Sequence, residues 1–222
     1  MKERLNEKPI LFKSEMVRAI LAGNKTQTRR IAELTYDGRL ILQRHRFNGQ
    51  KAVYCCHLGV AGPMWAPYGG SPDVPMPKDE YAKYAPKGQP GDRLWVRENF
   101  LVMPELWAVN HGEQPHYYAA DIADMATVED YVCKPSIHMP RWASRITLEI
   151  TEVRVQRVQE ISEGDAKAEG IERHDDEGVT YFGPMDRGHA CPLPEFKRIW
   201  DSIYKNWDEN PWVWAYTFKV FK

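Results

Sequence analysis

The densest set of chemistry-bearing side chains in the chain is Lys25-Thr26-Gln27-Thr28-Arg29-Arg30. Two hydroxyls interleaved with three cations suit a phosphate or carbonyl substrate, because both groups donate hydrogen bonds to such oxygens. In an extended segment Thr26, Thr28 and Arg30 point one way, while Lys25 and Gln27 point the other. The dipole of a preceding helix also favours cations at its C-terminal end, which accounts for Lys25 and Arg29 without any ligand.

Other candidate sites are sparser. Trp142 lies between Arg141 and Arg145, an arrangement suited to base stacking with phosphate contact. The same tryptophan can equally open a core strand. Arg97 and Glu98 are adjacent, so a strand turns them to opposite sides, one toward a cleft and one to the rim. Cys55-Cys56-His57 and His189-Ala190-Cys191 contain zinc-ligand types. Adjacent cysteines chelate poorly and the spacing fits no common zinc module, so no metal is expected. Walker, GxSxG and GxGxxG motifs are absent, and no cofactor is expected.

The 222 residues hold 30 basic and 31 acidic side chains, a net charge of −1. That excludes a globally basic nucleic-acid binder and an acidic disordered tail. The charge is uneven, however. Residues 1–60 carry +7, residues 61–140 carry −5 and residues 161–190 carry −5. A basic N-terminal quarter points to an anionic partner, unless the acidic blocks fold over it. No apolar run approaches the ~18 residues of a membrane helix. Met1 to Lys8 is charged and lacks a signal-peptide segment. Four cysteines without a CxxC read as reduced thiols. These features predict a cytoplasmic chain with no membrane partner.

Several elements must position the candidates. Residues 9–12 read as a strand. Ser14 caps a helix whose face is Met16, Val17, Ile20 and Leu21, and Gly23 stops it. Residues 39–46 and 51–58 form a hairpin around Asn48-Gly49. Residues 59–91 hold 7 of 16 prolines and 6 of 15 glycines, which predicts a long loop or insertion. Arg93 to Glu98 and residues 115–120 read as strands. Arg145 to Gln159 is a long strand whose alternation slips near Thr151-Glu152, the sign of a bulge. Ser162 to Asp165 resembles a capping box opening a helix that ends at Gly170, with Ile161 and Ala166 as its staple. A helix from Pro194 carries Phe196, Ile199, Trp200, Ile203, Tyr204 and Trp207. A last strand aligns Trp214, Tyr216, Phe218 and Val220. This order shows no strand–helix alternation, so an α+β fold with a small mixed barrel and packed helices fits best. At about 150 residues per domain, one elaborated domain over residues 1–222 is expected.

Ile20-Leu-Ala-Gly-Asn-Lys-Thr-Gln-Thr-Arg-Arg30 resembles the signature of ASCH domains, which have the PUA-like fold. Gly91-Asp92-Arg-Leu-Trp-Val-Arg-Glu98 resembles that family's "G-D" strand, and the Ile161–Gly170 helix and aromatic closing strand follow in the expected order. Residues 32–90 and 100–140 would be insertions relative to the smallest members. Ser136 to Arg145 resembles the long versions common in bacteriophages and prophages. The resemblance implies a PUA-like mixed β-barrel with packed helices, a long Pro/Gly-rich insertion and a cleft between helices and barrel.

The superfamily is associated with RNA binding, so the first expectation is binding of RNA or a nucleotide in a basic cleft. Arg29, Arg30, Arg97, Arg141, Trp142 and Arg145 are the candidate contacts. Some small members are amidohydrolases that deacetylate N4-acetylcytidine with a lysine, a threonine and a glutamate. By motif position these map to Lys25, Thr28 and Glu169. Thr28 would attack or align a water, Lys25 would take the proton, Glu169 would orient Lys25 or protonate the leaving amine, and Arg30 would stabilise the oxyanion. Glu169 has independent support, since it falls in a helix's last turn, where the dipole disfavours a carboxylate. Ribonuclease activity and a phage interaction role for the insertion are the remaining alternatives.

Overall fold

The computed structural model describes residues 6–32, 34–36, 39–40, 43–47, 50–59, 62–66, 74–75, 85–102, 117–123, 131–176, 178–184, 186 and 188–221. Its strands are β1 (Glu7–Leu11), β2 (Gln27–Ile31), β3 (Leu34–Tyr36), β4 (Arg39–Leu40), β5 (Gln43–Phe47), β6 (Gln50–Gly59), β7 (Gly62–Ala66) and β8 (Val74–Pro75). They continue with β9 (Arg93–Arg97), β10 (Phe100–Val102), β11 (Tyr117–Tyr118), β12 (Val132–Lys134), β13 (Thr147–Arg157), β14 (Arg173–Asp176), β15 (Val179–Phe182) and β16 (Trp212–Phe221). The α-helices among these residues are α1 (Ser14–Leu21), α2 (Glu163–Ala168) and α3 (Leu193–Ile203).

The framework is a five-stranded mixed sheet in the order β1-β9-β13-β16-β2. β1 and β9 are parallel and the other pairs antiparallel. The long strands β13 and β16 pair along their length, and β16 is buried on both faces over its first half. Trp214, Tyr216 and Phe218 join Ile10, Leu94 and Leu148 in the main core. Val213 turns to a second cluster with Ala166, Phe196 and Trp200 beneath α2 and α3. The register of β13 against β16 shifts between Ile150 and Glu152, at the expected bulge.

The fold is α+β, but no sheet closes into a barrel among the described residues. β1 and β2 are both edges, and no backbone hydrogen bond joins them. They meet through a side chain instead: Arg30 Nη2 donates to the Leu11 carbonyl at 2.9 Å. The sheet is therefore curled and open along the seam next to α1.

Other expectations shift locally. Lys13, not Ser14, is the N-cap of α1, and no side chain caps it. Leu21, expected on the buried face, is exposed. Ser162 Oγ accepts from the Asp165 N–H at 3.1 Å, as the capping pattern requires. β5 and β6 form the expected hairpin, with residues 48–49 themselves outside the described residues. The insertion is partly regular, since β6, β7 and β8 pair in sequence.

Candidate functional site

Two helix ends create the site. α1 closes with Gly23 at φ +79°, where Gly23 N donates to Ile20 O and Asn24 N to Ala19 O. That paired Schellman closure turns the chain back, and Lys25 N also reaches Ala19 O at 3.0 Å. α2 ends at Glu169 with Gly170 at φ +93°. A Cβ on Gly170 would lie 3.0 Å from the Cβ atoms of both Ala19 and Lys25. Glycine is thus needed twice over, for the left-handed turn and for the close approach. Thr26 N then donates to Ala168 O at 2.8 Å, and Lys25 and Glu169 form an isolated bridge.

Lys25 Nζ donates to Glu169 Oε2 at 2.8 Å and to the Glu169 carbonyl at 2.7 Å. Burial pulls the Lys25 ammonium below the usual lysine range, and Arg30 and Arg29 add to this, while Glu169 opposes it. Arg29 Nη1 donates to Glu169 Oε1 at 2.9 Å and Nη2 to Asp165 Oδ2 at 3.0 Å. Gln27 Nε2 and Arg154 Nη2 both donate to Asp165 Oδ1 at 3.0 Å. Burial alone would raise the Asp165 carboxyl, but hydrogen bonds from Arg154 and Gln27 and the charge of Arg29 hold it below the usual aspartate range. The basic and acidic segments therefore do face one another, here as a largely buried ion network in which Lys25, Arg29 and Arg154 meet Asp165 and Glu169, with exposed Glu152 at the edge beside Arg154.

A cleft of about 440 Å³ opens at the seam. Its polar lining is Lys13, Ser14, Arg30, Lys87, Asn99 and Ser136, and Phe12, Met16 and Ile203 supply apolar wall. Three cations line it and, among the described residues, no carboxylate does. A core tyrosine positions one of them: Tyr216 Oη accepts from the Lys87 N–H at 3.1 Å. Burial, then the charges of Arg30 and Lys8, hold Lys87 below its usual range. The Phe12 ring lies 5.5 Å from Arg30 Cζ and 5.7 Å from Lys25 Nζ, so it joins the cleft to the ion network. A second hollow of about 530 Å³ behind α1 meets Glu169, but Glu15, Glu172 and Glu195 also line it.

The other expected residues lie elsewhere. Thr28 is buried and paired with Tyr216, on the face of β2 opposite Gln27 and Arg29. No hydrogen bond joins it to Lys25 or Glu169 among the described residues. Arg145 is held by carboxylates, since Nε donates to Glu98 Oε1 and Nη2 to Asp121 Oδ1, both at 2.9 Å. It stacks on Tyr118 and clamps buried Glu98. Arg97 and Arg141 lie by Trp95 on the outer face of β9, and Trp142, next in sequence to Arg141, is 40% exposed.

The sequence pattern does not single out Phe12, Lys87, Gln27, Asp165 or Arg154 as site residues. It gives Asp165 only a capping role, and Lys87 is a lone cation between Pro86 and Gly88 in an irregular stretch. No group of three or more His, Cys, Asp or Glu is arranged for a metal among the described residues. The side chains of Cys55, Cys56 and His57 lie outside them. No helix among the described residues is long and apolar enough to cross a membrane. No protein-family model, curated protein or solved structure matches the chain, so function here rests on the chemistry of the site.

Proposed function

We propose that the chain binds RNA or a nucleotide in the seam cleft, as a PUA-like, ASCH-type module whose barrel seam is left open. The observation that carries this reading is a cleft lined by Lys13, Arg30 and Lys87 with no carboxylate among its described residues. Like charges gathered in a concave, low-dielectric wall focus a positive potential that an anion neutralises. Arg30 and Lys87 offer donors to a phosphate, while Met16 and Ile203 offer an apolar surface for a base. Lys87→Gln removes a charge that touches no carboxylate, so the fold should persist. Calorimetry with nucleoside monophosphates should show about tenfold weaker binding in this variant. Equal affinity in both proteins would refute the cleft as the phosphate site.

Amide hydrolysis is a second reading, favoured by the buried Lys25–Glu169 pair. Burial pulls Lys25 below the usual lysine range, the direction that favours a general-base role. This reading requires turnover of N4-acetylcytidine that is abolished in Lys25→Met and in Thr28→Ala. Absence of turnover in the unaltered chain would dismiss it.

A further inference from the structure

The outer face of β9 belongs neither to the cleft nor to the buried ion network. Alternation along β9 buries Leu94 and Val96 and turns Arg93, Trp95 and Arg97 outward. Arginines and rings interleave there. Arg97 Cζ lies 5.4 Å and Arg141 Cζ 5.9 Å from the Trp95 ring centre. Arg93 Cζ lies 3.6 Å from the ring of Phe221, which is 40% exposed. The register explains the spacing, because Trp95 and Phe221 are both paired with Thr147, from opposite sides of β13.

Charge on this face is unbalanced. Glu7 pairs with Arg141 at 2.9 Å and Glu149 with Lys219 at 3.0 Å. Glu7 and Glu149 are the cross-strand neighbours of Arg93, but their ion pairs go to Arg141 and Lys219; among the described residues no ion pair holds Arg93 or Arg97, and Arg97 Nε is buried without a hydrogen-bond partner. The face is also continuous with the cleft. Leu11, on the cleft wall, is paired with Arg97 across β1 and β9. Ser136 lines the cleft, and the next carbonyl, Ile137 O, accepts from Arg97 Nη2. Arg97 therefore stands at the cleft rim, and β9 carries the ladder about 13 Å away from it at roughly 3.3 Å per residue.

We infer that this ladder is a track for single-stranded polynucleotide, along which a strand seated in the cleft continues across the outer face of β9. The inference rests on the nucleotide reading of the cleft and names its substrate as a strand rather than a free mononucleotide. Bases stack on Trp95, Phe221 and the guanidinium planes, and phosphates meet Arg93 and Arg97. Such contacts tolerate any sequence, since each base presents a stacking face.

The test uses the full chain, a fluorescein-labelled single-stranded RNA decamer and a nucleoside monophosphate. Arg93→Gln with Arg97→Gln should weaken decamer binding by roughly tenfold or more and shrink the salt slope by about 1.4, at about 0.7 per cation for single strands. Arg93→Gln alone, about 13 Å along β9 from the cleft rim, should leave monophosphate affinity unchanged. Trp95→Leu should weaken decamer binding roughly tenfold by removing a stacking surface, with an unaltered salt slope. Unchanged decamer affinity and slope in both variants would overturn the track while leaving the cleft reading intact. Decamer binding that needs the ladder, without monophosphate binding by the unaltered chain, would uphold the track and refute the cleft. Failure of the unaltered chain to bind either probe would overturn both.

Discussion

Burial strips Lys25 of water, and Glu169 replaces that solvation from two directions, its carboxylate and its own backbone carbonyl. Removing several hydration contacts from an ammonium is costly, and the network returns that cost only while every partner is present. Glu169→Gln should therefore destabilise the protein by about 3–5 kcal/mol, since it leaves both Lys25 and Arg29 short of a counter-charge. Adding Lys25→Met to that variant should recover a large part of the loss, because no uncompensated ammonium is then buried. Denaturant titration of the single and double variants checks both statements, and equal stability of the two would contradict the coupling. The residues of this pair are singled out in sequence by the ASCH resemblance, with the cation–hydroxyl cluster supporting Lys25 and the awkward place at a helix C-terminus supporting Glu169. Asp165 is half legible: its N–H serves the Ser162 cap, but its carboxylate turns to Arg29 and Arg154. The role of Arg145 is not legible, because nothing local reveals that Glu98, buried at 1% exposure, needs a cation from 47 residues away.

At the scale of elements, the Lys25–Glu169 contact depends on two glycine-terminated helices docking end to end. Gly170 is the tighter of these ends. Gly170→Ala should cost more than Gly178→Ala, although both sites have similar left-handed backbones, φ +93° and +83°. The backbone term is about 1–2 kcal/mol at either site. A Cβ meets nothing within 4 Å at Gly178, whereas at Gly170 it meets Ala19 and Lys25 at 3.0 Å. Thermal melts of the two variants read the difference directly, and equal shifts would mean that the helix ends can separate at no cost. The bulge in β13 is legible because a phase slip in alternation has one structural meaning. Closure of the sheet is not legible. It depends on whether two edge strands far apart in the sheet order find each other, and Arg30 and Phe12 occupy the seam where they would have paired. Ile203 falls on the apolar stripe of its helix by spacing but lies on the cleft wall, since α3 continues past the core it covers.

Over the whole molecule, the net charge of −1 conceals a sorting of charges into two environments. Lys25, Arg29 and Arg154 are neutralised inside by Asp165 and Glu169. Lys13, Arg30 and Lys87 are left facing a cleft without an opposing carboxylate among the described residues. Block sums along the sequence find the basic quarter, but they cannot separate cations that pair internally from those that do not. That separation is made by the strand alternation of β2, which sends Arg29 to α2 and Arg30 to the seam. The nucleotide reading depends on this second group. Its most direct measurement is the salt dependence of single-stranded RNA binding by fluorescence anisotropy, for the unaltered chain and for Arg30→Gln with Lys87→Gln. The account predicts a log–log slope that is less steep by about 1.4 in the double variant, at about 0.7 for each phosphate that is no longer neutralised. An identical slope in the two proteins would contradict it.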